Sequence, residues 1–546
     1  MRKRKRFTSL GKKCFFTTLT TVTALLFGLT IPRRTASAQS TPPPLDICSK
    51  SVNIASLLPG GANEDPDVAA ANALIDSQFA AAQFQIQTNP PAGAALQEQL
   101  LGKIEIFDKS LSVNGNLACA SCHDPAAGFT GASSYLNQTI VAQPGSVHVT
   151  NATNGAPNYR ISSRKPQAYP YMALAPILHY NATQQDFYGG NFWDLRATGQ
   201  RLGNPAAEQA QGPPLNPLEM GWPDSACLVY KLSQSSYATF FEKVWGTQSF
   251  SIAWPSNAQQ VCSTPGPAPA NNPYPVQLTE ADRATSNSAF DHFALAIAQE
   301  ESSEESSFSS KFDAYLAGLT GLTAQEMNGY RLFNGKAGCN QCHLSGNATS
   351  SGHPGTAADV APLFTDFTAN NIGVPKNLAL PWYCESTPDQ YGYTANPAGI
   401  NSTDDGLGSI LATSTNPAWQ ALAPNFMGKF QTATVRNADM RPYPTFVKAY
   451  MHNGYLKSLK EVVHFYNTSQ ALPHCQQGSP GEKVTCWPTP EVQQNLNTTQ
   501  LGNLHLNSNE EDDIVAFLQT LTDGWFNPST GLISGAGANP ESTTNQ

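Results

Sequence analysis

Cys119-Ala120-Ser121-Cys122-His123 and Cys339-Asn340-Gln341-Cys342-His343 are two copies of one pattern, C-x-x-C-H, 220 residues apart. In this pattern two thiols add across the vinyl groups of a haem, and the histidine that follows is held under the iron as its proximal ligand. Redox C-x-x-C pairs normally sit beside a βαβ pattern instead, and neither copy has one. Two covalently bound haem c groups are therefore expected. Cys119, Cys122, Cys339 and Cys342 are the attachment residues, and His123 and His343 the proximal iron ligands.

The segments around the motifs read as helix. Thr323-x-x-Glu326 is a capping box followed by Met327, Tyr330 and Phe333 at helical spacing, and this helix runs towards Cys339. Ser458-x-x-Glu461 starts a helix carrying Leu459, Val462, Val463 and Tyr466. Ser508-x-x-Glu511 starts another, with Ile514, Phe517, Leu518 and Leu521 on one face. Strand-like alternation is scarce. The expected fold is mainly α and loop-rich, with two c-type cytochrome domains and few strands. Residues 39–90 read as an N-terminal arm, 91–307 as the first haem domain, 308–527 as the second and 528–546 as a loose tail. The polar run Glu300 to Ser307 is the expected linker.

Residues 1–38 read as a cleavable export signal. Arg2 to Arg6 are basic, Phe15 to Ile31 apolar and Ala36-Ser37-Ala38 a small-residue cleavage site. The apolar stretch is short and broken by threonines, so no stable membrane insertion is expected. The expected location is periplasmic. The segment holds nine of the 31 Lys+Arg and none of the 40 Asp+Glu, which leaves a mature chain of charge −18. That acidity excludes nucleic acid and anionic membrane surfaces as partners. It suits a locally basic redox protein, or simply the solubility of an exported protein. Six cysteines remain outside the signal and the motifs: Cys48, Cys227, Cys262, Cys384, Cys475 and Cys486. In an oxidising compartment these suggest disulfides, with Cys227–Cys262 and Cys475–Cys486 closing local loops.

Longer stretches carry a family resemblance. Leu117 to Pro125 with Gly128-Phe129-Thr130, then Asn191-Phe192-Trp193-Asp194-Leu195-Arg196-Ala197, Glu208-Gln209-Ala210 and Asn216-Pro217-Leu218-Glu219-Met220, resemble the first-haem half of bacterial di-haem cytochrome c peroxidases and their MauG relatives. Leu332 to Gly335, Phe364-Thr365-Asp366-Phe367, Thr434-Val435-Arg436-Asn437, Tyr450-Met451-His452-Asn453-Gly454 and Leu459 to Asn467 resemble the second half, in the same order.

The resemblance implies H₂O₂ chemistry at the His123 haem and electron transfer at the His343 haem. Glu219 falls at the position of the family's distal acid, although glutamates more often lie at a surface or a cap. Trp193 matches the tryptophan between the haems, a relay unless it is plain core. Most members carry an axial methionine 14 residues after the histidine of Tyr-x-His-x-Gly, and that count from His452 gives Tyr466. MauG-type members place an axial tyrosine there. Tyr466 is thus the expected second ligand, with core packing as the alternative and Met440 and Met451 as substitute ligands. The loop after Trp193-Asp194-Leu195-Arg196 departs from the usual Trp-Asp-Gly-Arg. His148 is the one early candidate for a distal histidine, in a dissimilar context, so an open sixth position at the first haem is expected. A calcium ion between the domains, near the carbonyls of Val447 and Ala449, is also implied. His179, His292, His353, His464, His474 and His505 read as structural or exposed.

The expected activity is a di-haem peroxidase, with a small redox protein (a c-type cytochrome or cupredoxin) or a protein substrate as electron source. A non-catalytic di-haem carrier and a haem oxygenase of the rubber-cleaving type are the alternatives.

Overall fold

The computed structural model describes residues 57–58, 61–150, 157–158, 160–303, 305–346 and 361–533. The expected signal segment and most of the tail lie outside these residues. Among them, strand is confined to three two-stranded antiparallel pairs: Val149–Thr150 with Pro157–Asn158, His179–Asn181 with Asp186–Tyr188, and Ala369–Asn370 with Phe430–Gln431. The rest is helix and long, hydrogen-bonded loop, as the sequence suggests.

Around the first motif the principal helices are α1 (Pro66–Thr88), α2 (Ala94–Phe107), α3 (Cys119–Cys122), α4 (Pro205–Ala210), α5 (Ser225–Leu232) and α6 (Glu280–Ser303). Around the second they are α7 (Ala324–Asn334), α8 (Leu459–Thr468) and α9 (Ser508–Gln519). Within residues 39–90, read as an N-terminal arm, the structure has the helix α1. Its Ala- and Gln-rich sequence buries Val68, Ala71, Ile75 and Ala82 at helical spacing, Asp65 caps the Asp67 and Val68 amides and Pro66 sets the first turn. The expected linker starts inside α6, where Glu300 and Glu301 are buried.

Each motif is delivered by a helix that crosses a later one at a glycine. A Cβ on Gly102 of α2 would lie 2.0 Å from the Ala296 carbonyl oxygen of α6, and one on Gly329 of α7 would lie 1.8 Å from that of Asp513 on α9. Only a residue without a side chain lets these backbones approach so closely. Leu101, Ile104, Phe293, Ala294 and Ile297 then fill the first core. Phe312, Phe333, Phe364, Ile514 and Phe517 fill the second. Their rings meet edge-on or tilted, as in Phe333–Phe517 at 5.2 Å and Phe312–Phe517 at 5.4 Å.

Thr323 and Ser458 cap α7 and α8 as expected. α9 is capped one residue earlier than expected, by Asn507 with Glu510 completing the box. Cys227–Cys262 and Cys475–Cys486 are disulfides, and Cys384 is disulfide-bonded as well. Among the described residues no helix is long and apolar enough to cross a membrane.

Candidate functional site: two haem-attachment centres

The four motif cysteines are the free cysteines of the described chain. Burial pushes the thiols of Cys119, Cys122, Cys339 and Cys342 up to about 12. A redox dithiol needs a depressed thiol pKa and access to solvent, so these pairs are built for another use.

The two histidines are held alike. His123 Nδ1 lies 3.1 Å from the carbonyl oxygen of Phe129, and His343 Nδ1 lies 3.1 Å from that of Phe364. A carbonyl only accepts, so each ring carries its proton on Nδ1 and keeps the Nε2 lone pair free for a metal. Burial lowers the pKa of both imidazoles, His123 to about 4, which keeps them neutral. Both residues whose carbonyls accept in this contact sit in left-handed backbone, Phe129 at φ 60° and Phe364 at φ 54°. That conformation is uncommon for a bulky residue. It recurs here at the same Phe-Thr pair after each motif, and sequence reading missed it. Tyr169 packs on the His123 ring at 5.5 Å and on Phe129 at 4.9 Å.

At the second motif, a cavity of about 260 Å³ is lined by Cys339, Cys342, His343 and Tyr466. One part of its wall is apolar, with Leu459, Val462, Val463, Leu504 and Leu518. Another is polar, with Lys165, Trp193, Asp404, Gln431 and His452. This mixed lining suits a haem, whose body is apolar and whose propionates are anionic. Tyr466 and His343 thus line the same cavity, and burial raises the Tyr466 phenol pKa. Met451 also lines the cavity, whereas Met440 is absent from its lining residues. His452 is 4% exposed, stacks on Phe430 at 3.6 Å and leaves Nε2 without a partner.

Glu219 is brought to the first motif by a loop held at several points. Its amide donates to the Asn216 carbonyl at 3.0 Å and its carbonyl accepts from Ser146 at 2.6 Å. Asn216 Nδ2 donates to Oε1 at 2.6 Å. The carboxyl is close enough to Cys122 to raise that thiol further. Burial raises the Glu219 pKa, and Arg196 and the Asn216 bond oppose it.

Trp193 lines the second cavity, and its indole N–H donates to the Lys165 carbonyl at 3.0 Å. Lys165 in turn acts electrostatically on His123. The preceding Arg164 is the hub of a partly buried ion network, with Asp194 at 2.6 Å and Asp404 at 2.7 Å. His148 is exposed. Among the other histidines, His464 pairs with Glu511 at 2.9 Å and His292 stacks on Trp245 at 4.3 Å, while His353 lies outside the described residues. The Val447 carbonyl, expected to face calcium, accepts from Asn137 Nδ2 at 3.0 Å.

The sequence model for di-haem cytochrome c peroxidase matches residues 97–321. The methylamine utilization protein MauG of Paracoccus denitrificans is 30% identical over 454 residues, covering 80% of this chain and 94% of that protein. The cytochrome-c peroxidase IdrP2 of Denitromonas iodatirespirans is 25% identical over 444 residues, covering 80% and 85%. The crystal structure of the di-haem peroxidase BthA from Burkholderia thailandensis superposes with a TM-score of 0.55 at 25% identity, covering 80% of this chain and 88% of that one. Likeness of this extent spans both motifs and the loops that serve them, and the chain belongs to the di-haem cytochrome c peroxidase and MauG family of oxidoreductases.

Proposed function

We propose that the protein is an exported, periplasmic di-haem peroxidase. Hydrogen peroxide reacts at the His123 site, and oxidising equivalents pass to the His343 site and on to an external donor. That donor is a small redox protein, a c-type cytochrome or cupredoxin, or a protein side chain. The observation that carries this reading is the carboxyl of Glu219, fixed by Asn216 and set beside Cys122.

Haem held by Cys119, Cys122 and His123, and by Cys339, Cys342 and His343, would supply the redox-active iron for peroxide chemistry. Heterolysis of H₂O₂ also needs a proton to leave one oxygen and arrive at the other, and a single carboxylate close to the iron performs both transfers. Glu219 is placed for that task. Its raised pKa brings it nearer to working pH, where it both takes and returns a proton. Trp193 is the relay residue, since its ring borders the second cavity and its N–H is tied to the lysine that faces His123. Tyr466 would hold the iron of a haem at the His343 site through its phenol oxygen. A phenolate oxygen is hard and anionic and stabilises ferric and higher states, where a thioether such as Met451 stabilises the ferrous state.

Glu219→Gln tests the central role. Peroxide turnover should fall ~10²–10⁴-fold, the range general acid–base groups contribute, with both haems retained by pyridine haemochromogen assay. Turnover within a factor of two of the parent would remove Glu219 from the mechanism.

A further inference from the structure

Lys448 is 4% exposed, yet its ammonium is not paired with an acid. Nζ donates to three backbone carbonyls: Ala127 at 2.8 Å, Met440 at 2.7 Å and Asn437 at 3.3 Å. A neutral amine has two N–H groups and an ammonium three. Three acceptors therefore call for the charged form.

The three carbonyls come from two places. Ala127 belongs to the short loop between His123 and Phe129, whose carbonyl orients the His123 ring. Asn437 lines the cavity of the second motif, as does Lys448 itself, and Met440 follows three residues on. Gly128 is shaped around this contact. Its φ is +68°, and a Cβ there would lie 2.9 Å from Lys448 Nζ and 2.7 Å from the Asn437 carbonyl oxygen. A second buried amine stands nearby. Lys165 Nζ donates to the Pro166 carbonyl at 3.0 Å and lies 5.6 Å from the Trp193 ring centre. Burial pushes the Lys448 amine down to about 7. Lys165 and Arg441 oppose its charge, and Asp439 and Asp124 favour it.

We propose that Lys448, seconded by Lys165, is a positioning residue that holds a positive charge between the two haem sites, raising the reduction potential of both and tying the His123 loop to the wall of the second cavity. The inference rests on both motifs carrying haem. A buried positive charge favours the reduced, less positive state of a nearby iron, and it acts strongly where water is excluded. The same ammonium is a mechanical link, because removing it frees three carbonyls on both sides at once.

The experiment compares the haem-loaded parent with Lys448→Gln and Lys448→Arg by spectroelectrochemistry and by EPR of the ferric state. Haem content is counted first, so a failure of the di-haem reading is seen separately. Gln should shift both midpoint potentials downward and alter the g-values of the first haem, and Arg should restore the midpoints. Unchanged midpoints in a fully loaded Gln variant would overturn the proposal. So would an Arg variant that falls as far as Gln, since packing rather than charge would then be responsible. Should the Gln variant fail to load both haems, Lys165→Gln is measured in the same way. A downward shift there supports the charged seam, and unchanged midpoints overturn it.

Discussion

A backbone carbonyl decides what each motif histidine offers. Phe129 and Phe364 accept from Nδ1, and the free Nε2 is what an iron needs. Nothing in the sequence marks these phenylalanines as left-handed, because the conformation is imposed by the loops that follow the motifs. The covalent residues, by contrast, are legible from spacing alone. Tyr466 was legible only by counting from His452, and its helix face alone would have read as core. Lys448 was invisible, since lysine is almost never buried and the carbonyls that hold it are set by tertiary structure. Replacing Tyr466 by methionine should raise the midpoint potential of the second haem in a redox titration, because a thioether favours Fe(II). A midpoint that stays put would show that Tyr466 is core and not ligand. Trp193→Phe removes the bond to the Lys165 carbonyl. Stopped-flow mixing with peroxide should then show slower oxidation of the second haem, with the first step unaffected.

Elements place the motifs through crossings that tolerate no side chain. Gly329→Ala would drive a methyl group into the Asp513 carbonyl and part α7 from α9. A loss of ~1–3 kcal/mol is expected, the usual scale of overpacking, together with weaker haem loading at the second motif but not the first. Urea unfolding and haem counting check both. Helix starts were largely readable, because Thr323 and Ser458 satisfy amides that would otherwise lack partners. The start of α9 was misplaced by one residue, since Asn507-Ser508 offers two good caps and Glu510-Glu511 two acids. α1 went unread because its core-facing Val68, Ala71, Ile75 and Ala82 lie among further alanines on the other faces, which blurs the helical period. The Gly102 and Gly329 crossings went unread, as a glycine's partner helix lies about 180 to 200 residues further along the chain.

Across the whole molecule, buried ionic groups join segments far apart in sequence: Arg436 with Asp313, Arg160 with Asp389, and Arg164 with both Asp194 and Asp404. Removing one partner of such a pair strands a buried charge at a cost of ~3–5 kcal/mol, so Asp313→Ala should lower the melting temperature sharply. Glu301 gives a pH dependence. Burial, then Glu305, raises its carboxyl from 4.5 to about 8. The native state thus holds a proton that the unfolded state releases, and stability falls as pH rises from about 4.5 to about 8. Glu301→Gln should therefore melt higher than the parent at pH 8 and nearly level with it at pH 4.5, as read by circular dichroism. The central claim is that one haem site is open to peroxide and coupled to a second, tyrosine-ligated one. Low-temperature EPR of the ferric protein, before and after one equivalent of H₂O₂, tests it most directly. The account predicts one high-spin and one low-spin signal, both lost on adding peroxide. Two low-spin signals unchanged by peroxide would contradict it.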